Sequence, residues 1–248
     1  KRRLLLFDYD GTLAPIRSRP EEAVPSHRLC ELLRTLGTDA ANRVVICSGR
    51  DSGTLEKWFG GLPVSLAAEH GAFYKDRGAW RCNIRPASWD PKLSALLEHF
   101  ARKTPRSRIE RKQTALAWHY READSWLGQL RAQQLVNALM PLCARLNLHI
   151  LQGDKVVEIK SPRFTKGSET LRLLRQERYD FILALGDDTT DDDMFAALPP
   201  RALSIKIGNA SEHARYNMPE QSEVVPLLEL LARDRGSFDP AGVKHAIR

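Results

Sequence analysis

The chain has 248 residues, 42% hydrophobic and 28% charged, enough for one large domain or two modest ones with a core that needs no staples. Its net charge of +7 is spread over short groups such as Lys1-Arg2-Arg3 and Arg111-Lys112; this excludes the basic stripe of a nucleic-acid binder and mildly favours anionic substrates. No apolar run reaches the roughly 18 residues of a membrane span, and Cys30, Cys47, Cys82 and Cys143 lack C-x-x-C or metal-finger spacing, as expected of free thiols in a reducing, cytoplasmic chain without a secretory leader.

Arg3 to Phe7 is a short apolar run of the kind that forms a buried parallel strand, and Asp8-Tyr9-Asp10-Gly11-Thr12 is its exit loop. A helix follows from Pro25-Ser26 through Leu29, Leu32, Leu33 and Leu36 to Gly37. Arg43 to Cys47 reads as a second buried strand with Ser48-Gly49-Arg50 beyond it, Leu55 to Phe59 as a helix, and Val64 to Ala68 as a third strand.

The pattern then changes. Phe73-Tyr74 and Trp80-Arg81-Cys82 form a hairpin about Asp76-Arg77-Gly78, and Pro91 to Lys103 is a helix with Leu93, Leu96, Leu97 and Phe100 on one stripe. Strands at Arg108 to Lys112 and Ala115 to His119 precede a long helix, Trp126 to Leu146. Leu148 to Gln152 and Lys155 to Ile159 make a second hairpin about Gly153-Asp154. The succession is that of a small α+β layer on an antiparallel sheet.

Buried strands and helices resume at Thr165: helix Lys166 to Gln176, strand Phe181 to Leu185, helix Thr190 to Leu198, strand Ala202 to Ile207, a short helix Ser211 to Tyr216 and a last helix Val224 to Arg233. The fold class is thus α/β, a Rossmann-like parallel core over 1–76 and 163–235 interrupted by an α+β insert over 77–162, with a flexible tail at 236–248.

In an open parallel sheet, ligands meet the carboxyl ends of the strands. Those ends carry Asp8 and Asp10, then Ser48, then Glu69, then Asp187 and Asp188, with Lys166 opening a helix between them. Of two such aspartates, one can attack phosphorus to form an acyl phosphate while the other protonates the leaving oxygen and later deprotonates water. Carboxylate and phosphate repel, so a hard cation such as Mg²⁺ is required, and Asp187 is the natural second carboxylate ligand. Lys166 supplies fixed positive charge and Ser48 a hydroxyl donor; Arg50 and Glu69 are further candidates for substrate contact. Any one of these residues alone is as readily a cap or turn former, and Thr190 or Asp191 is the expected cap of its helix. Their conjunction at successive strand ends is what points to chemistry.

Asp8-Tyr9-Asp10-Gly11-Thr12-Leu13, Ser48 in Ile46-Cys47-Ser48-Gly49-Arg50, Lys166, and Gly186-Asp187-Asp188 with Asp191 resemble the four motifs of haloacid dehalogenase superfamily phosphatases. The resemblance implies that Asp8 is the nucleophile and Asp10 the acid/base. It also implies that Asp8, the Asp10 main-chain carbonyl and Asp187 hold Mg²⁺, with Asp188 or Asp191 nearby, and that the insert is a substrate-selecting cap. Ala68-Glu69-His70-Gly71-Ala72, Ile109-Glu110-Arg111-Lys112, Trp118-His119-Tyr120-Arg121 and Val156-Val157-Glu158-Ile159 are similar to the trehalose-6-phosphate phosphatase family, in which Glu110, Lys112 and Glu158 would hold the disaccharide. Those three are expected on adjacent strands, facing one way. The chain also resembles the phosphatase portion of fused synthase/phosphatase proteins, so a trehalose-phosphate synthase domain is an expected partner. Phosphatases of sucrose-phosphate, mannosylglycerate-phosphate or hexose phosphates, and a non-catalytic sugar-phosphate sensor, are the alternatives.

Overall fold

Arg-Leu-Leu-Leu-Phe has no polar alternation, the pattern of a strand covered on both faces. In the computed structural model, which describes residues 2–76, 78–82, 89–161 and 163–233, it forms β1 (Arg3–Phe7) with every residue buried. β1 pairs in parallel with β2 (Asn42–Cys47) on one side and with β10 (Phe181–Gly186) on the other. β3 (Ser65–Ala68) continues the sheet beyond β2; β11 (Leu203–Ile207) and β12 (Tyr216–Met218) continue it beyond β10. Two antiparallel strands, β4 (Phe73–Lys75) and β5 (Arg81–Cys82), complete the order β12-β11-β10-β1-β2-β3-β4-β5. The connections progress outward in opposite directions from the β1–β10 pair. That is the switch point at which α/β sheets open a crevice beyond the strand ends.

Helices α1 (His27–Thr38), α2 (Ser52–Phe59), α5 (Lys166–Gln176), α6 (Thr189–Ala196) and α7 (Val224–Arg233) belong to this unit. α1 buries Leu29, Leu32, Leu33 and Leu36 and is capped by Ser26, whose Oγ accepts from Leu29 N at 3.2 Å. α5 begins in a reciprocal capping box between Thr165 and Ser168, which fixes where its first residue, Lys166, stands. Leu173 of α5 and Met194 and Phe195 of α6 close over Leu4, Leu6, Val45, Ile182 and Ala184 of the sheet.

The chain divides into two units, Lys1–Asn83 with Thr165–Arg248, and Ile84–Phe164. The boundaries read from sequence, 77 and 162, and the tail 236–248 lie outside the described residues. Trp80-Arg81-Cys82, placed in the insert by sequence, instead extends the core sheet, since Phe73 pairs with Cys82 and Tyr74 with Arg81.

The second unit is a sheet ordered β6 (Arg108–Arg111), β7 (Ala115–His119), β9 (Val156–Lys160), β8 (His149–Gly153), all antiparallel. α3 (Pro91–Arg102) and α4 (Ser125–Leu146) cover one face. Leu93, Leu97, Leu135 and Leu139 meet Leu116, Trp118, Val157 and Ile159 there, each fully buried. Such side chains contribute about 1.5–3 kcal/mol apiece. Alternation sends Glu110, Ala117 and Glu158 to the opposite face in one cross-strand row. The sequence reading expects Glu110 and Glu158 on adjacent strands; β7 lies between them instead and places the fully buried Ala117 in the row between the two glutamates.

Two local readings change. Ser211 to Tyr216 is not a helix: Ser211 Oγ accepts from His213 N at 3.2 Å, a local turn that competes with helix formation, and Tyr216–Met218 becomes the edge strand β12. The cap of α6 is Asp188, whose Oδ1 accepts from Thr190 N at 2.8 Å and Asp191 N at 3.3 Å, rather than Thr190 or Asp191.

Candidate active site

The backbone leaves β1 through a tight loop in which Gly11 N donates to Ala14 O at 2.7 Å and Ala14 N to Tyr9 O at 2.9 Å. Gly11 has φ +86°, and a Cβ there would lie 2.1 Å from Asp187 Oδ2. Glycine is thus required both by the backbone conformation and by the approach of the second acidic loop. Tyr9 points the other way, into Trp58 and Phe59 at ring distances of 5.2 and 5.4 Å, and its hydroxyl donates to Ala23 O. With Tyr9 anchored, the flanking Asp8 and Asp10 are presented at the strand end.

Lys166 is the centre of the charged cluster. Its ammonium, on a residue 2% exposed, donates to Asp8 Oδ1 at 2.5 Å and to Asp191 Oδ1 at 2.8 Å. Asp191 Oδ2 accepts from the main-chain N–H groups of Asp187 and Asp188, each at 3.1 Å. This one carboxylate therefore ties the lysine to the loop after β10. Thr12 Oγ1 donates to Asp187 Oδ1 at 3.2 Å, and Lys206 Nζ donates to Asp188 O at 2.5 Å and Asp192 Oδ1 at 2.9 Å. Gln221 Nε2 reaches back to Thr12 O at 2.8 Å.

On the other flank, Arg50 Nε and one terminal nitrogen grip the two oxygens of Asp10 at 2.7 and 2.5 Å. The guanidinium also lies over the Trp58 ring, 5.2 Å from its centroid. Buried Ser48 accepts at Oγ from Arg50 N at 3.2 Å, and its carbonyl accepts from His70 N at 3.0 Å. Glu69, His70 and Gly71 follow β3 as a 3-10 turn with three successive positive φ values, 47°, 60° and 98°. Left-handed backbone at two non-glycine residues is sparsely populated and is held here by surrounding contacts. A Cβ on Gly71 would lie 2.7 Å from Glu169 Cβ, so the turn sits against α5, the helix that carries Lys166.

Electrostatics follow from four carboxylates gathered around one ammonium. Burial drives the Asp8 carboxyl well up, against the opposing charge of Lys166, and Asp187 and Asp188 add to the rise. Burial, with Asp191 and Asp188, pushes Asp187 up to about 7. Desolvation by the surrounding cluster would raise Asp188, but Lys166 and the donors at Thr190 and Asp191 hold it below the ordinary range. Burial alone would lower Lys166, but Asp191 and Asp8 hold it well above its usual value, so it stays charged. The cluster is short of positive charge.

Ligand atoms of Asp8, Asp187 and Asp191 all lie within 4.8 Å of one another. Both Asp191 oxygens already accept hydrogen bonds, and the cap of α6 occupies Asp188 Oδ1, which leaves Asp8 and Asp187 with the more available oxygens. The residues present fit a hard divalent cation, in donor type and in the charge deficit it would relieve.

The structure brings together Asp8, Asp10, Ser48, Arg50, Lys166, Asp187 and Asp188 at the carboxyl ends of neighbouring strands, with Glu69 in the turn after β3. Glu110, Lys112 and Glu158 stand in the second unit. Lys112 Nζ lies 3.4 Å from Glu158 Oε2, and His119 Nε2 lies 2.8 Å from Glu110 Oε2. Burial alone would raise Glu110, but the His119 hydrogen bond and the charges of Lys112, His119 and Arg108 hold its carboxyl down at about 2. Sequence reasoning passed over Thr12, Lys206 and Gln221. Thr12 alone had a signal, as the hydroxyl residue closing the first acidic loop.

The trehalose-phosphatase family profile matches residues 6–223. A bifunctional trehalose-6-phosphate synthase/phosphatase of Thermoproteus tenax is 40% identical over 93% of this chain and 32% of its own length. The chain spans about a third of the length of the curated relatives it matches. The solved structure of the C. albicans trehalose-6-phosphate phosphatase C-terminal domain is similar at a TM-score of 0.87 and 36% identity, covering 94% of this chain and 92% of that one. A haloacid dehalogenase-like hydrolase from Bacteroides thetaiotaomicron, 16% identical with a TM-score of 0.66 over 93% of this chain and 100% of that one, shares the fold alone.

Proposed function

Since the chain belongs to the trehalose-phosphatase family, we propose that it hydrolyses trehalose 6-phosphate to trehalose and phosphate through a phosphoaspartate on Asp8. The observation that carries the reading is the buried Asp8–Lys166–Asp191 cluster at the switch point of the sheet: Lys166 takes one oxygen of Asp8 at 2.5 Å and leaves the other for attack. An Asp8 oxygen forms a bond to phosphorus as the bond from phosphorus to the sugar oxygen breaks, and Asp10 gives that oxygen its proton. Asp10 then takes a proton from water as the water oxygen bonds to phosphorus and the acyl phosphate is cleaved. Ser48 Oγ and Lys166 donate to the phosphoryl oxygens, whose charge spreads in the transition state.

Asp8, the Asp10 carbonyl and Asp187 are assigned to Mg²⁺, with Asp188 and Asp191 behind them. Bound there, Mg²⁺ would supply the charge that lets an anionic nucleophile meet an anionic phosphate. Glu69 and, in the second unit, Glu110, Lys112 and Glu158 are assigned to sugar hydroxyls, which carboxylates and ammonium groups recognise by accepting and donating hydrogen bonds.

The four cysteines are free, and no helix among the described residues is long and apolar enough to cross a membrane. Both accord with a proposed cytoplasmic location, and the length of the relatives with a synthase domain as partner.

The test is phosphate release from a panel of sugar phosphates with and without Mg²⁺. Preference for trehalose 6-phosphate, metal dependence, and loss of turnover in a folded Asp8→Asn variant are expected. Full activity of Asp8→Asn would sink the covalent route, and equal turnover of other sugar phosphates would sink the substrate assignment.

A further inference from the structure

Arg50 stands in the loop after β2, where sequence reading expects it to meet substrate. The structure gives its guanidinium a different occupation. Nε and one terminal nitrogen are engaged side-on with both oxygens of Asp10, at 2.7 and 2.5 Å, while one face of the guanidinium rests over Trp58. The fork is itself fixed. Arg50 N donates to Ser48 Oγ at 3.2 Å and Arg50 O accepts from Glu69 N at 2.9 Å, so the backbone behind the side chain is held from two loops. The Arg50 side chain is 14% exposed, against 35% for Asp10. The less exposed arginine thus restrains the more exposed acid. A guanidinium engaged this way matches a carboxylate in direction as well as charge. Asp10 follows Tyr9, whose ring packs against the same Trp58, so backbone and carboxylate of the acid are both referenced to α2.

We propose that Arg50 is a positioning residue that acts through Asp10, fixing the rotamer of the acid/base rather than gripping the phosphoryl group or the sugar. The inference rests on the proposed phosphatase reading, in which Asp10 handles the leaving-group proton. Transfer to an alkyl oxygen needs that proton; departure of 4-nitrophenolate does not. Arg50→Ala should lower kcat/KM for a sugar phosphate about tenfold, a part of the roughly 10²–10⁴-fold a general acid contributes, since Asp10 itself remains. The loss should be at least about fivefold larger than the loss for 4-nitrophenyl phosphate, whose kcat/KM reports formation of the same covalent intermediate. Added guanidinium ion should restore part of the sugar-phosphate rate. In an Asp10→Asn background, Arg50→Ala should have less than about a twofold further effect.

Parallel losses on the two substrates would instead assign Arg50 to the phosphoryl group, and additive losses with Asp10→Asn to the sugar; either overturns the proposal. If Arg50→Ala does not fold, Arg50→Lys decides. Its ammonium cannot hold both oxygens side-on, so the same selective loss is expected, and unchanged kinetics would refute the need for the fork. A chain that releases phosphate from neither substrate would bring down the phosphatase reading, whereas the fork is read separately by NMR of the Arg50 Nε–H. That signal should exchange slowly with water in the unvaried chain and fast in Asp10→Asn; the same rate in both would overturn the proposal.

Discussion

Asp191→Asn isolates what the buried carboxylate does, because the substitution changes hydrogen-bond chemistry without opening a cavity. Asp191 is fully buried and accepts three hydrogen bonds: from Lys166 at 2.8 Å on one oxygen and from two main-chain N–H groups at 3.1 Å on the other. Asparagine has one acceptor oxygen. Turned toward Lys166, it aims its NH₂ at two buried amide donors; turned toward the amides, it aims its NH₂ at an ammonium. The second arrangement is cheaper, because Lys166 keeps Asp8, and it forfeits one charge-assisted hydrogen bond worth about 1.5–3 kcal/mol. Removing one negative charge from the crowd returns part of that, so a net loss of about 1–2 kcal/mol is expected.

The contrast is Asp187→Asn. Asp187 accepts from Thr12 Oγ1 at 3.2 Å, and burial with its acidic neighbours already pushes its carboxyl up to about 7. Neutralising it in chelator should change stability by less than about 0.5 kcal/mol or improve it. Urea unfolding of the three proteins at pH 7.5 in the presence of EDTA compares them directly. An Asp191→Asn protein as stable as the parent, or an Asp187→Asn protein less stable than Asp191→Asn, would refute the division of labour drawn from the geometry.

Other outcomes follow from the same contacts. Mg²⁺ should raise the melting temperature of the unvaried chain, by about 2.7 kcal/mol of added stability at one hundred times its dissociation constant, and Asp187→Asn should abolish the rise. Calorimetry reads both. Gly11→Ala places a methyl group 2.1 Å from Asp187 Oδ2 at φ +86°, so a loss of about 1–3 kcal/mol and of most phosphate release is expected, checked by denaturant unfolding and turnover. Glu110, held at about 2, contributes stability that is complete above the ordinary carboxylate range and lost as pH falls from about 4.5 through 2. Glu110→Gln should therefore flatten the acid limb of stability followed by tryptophan fluorescence, and an unchanged limb would contradict it. Glu158→Ala should weaken use of trehalose 6-phosphate far more than of a small aryl phosphate, and equal losses in a kinetic comparison would remove its sugar role.

What the sequence makes legible depends on how strongly burial constrains composition. β1, β2 and β10 lie between layers, so beyond Arg3, Asn42 and Arg43 at the strand starts their residues are apolar without alternation, and Asp8, Ser48 and Asp187 are conspicuous as the first polar groups past their carboxyl ends. β12 is an edge strand of Tyr-Asn-Met with one buried residue, and such a segment carries no pattern to read. The run Asp187-Asp188-Thr189-Thr190-Asp191-Asp192-Asp193 offers five carboxylates of equal standing in sequence. Only the turn into α6 decides that Asp188 caps while Asp191 folds inward to Lys166. Strand adjacency in the second unit was likewise beyond periodicity, which fixes the face a residue takes but not the order of strands. Lys206 reaches Asp188 from the next strand, and a lysine within an apolar strand has no local signal of its target.

The discontinuity of the core has a consequence for how the protein is made. β1 is central to its sheet, yet its partner β10 is synthesised only after the whole of Ile84–Phe164. The inserted unit is continuous, with β6 beside β7 and β8 beside β9, so it can fold while still tethered to the ribosome, whereas β1, β2 and β3 emerge with an apolar, unpaired edge at β1. At elongation rates of about 5–20 residues per second that edge waits roughly 10–35 s for its partner. A nascent chain stalled before residue 180 should therefore recruit holdase chaperones through β1, and full-length release should discharge them.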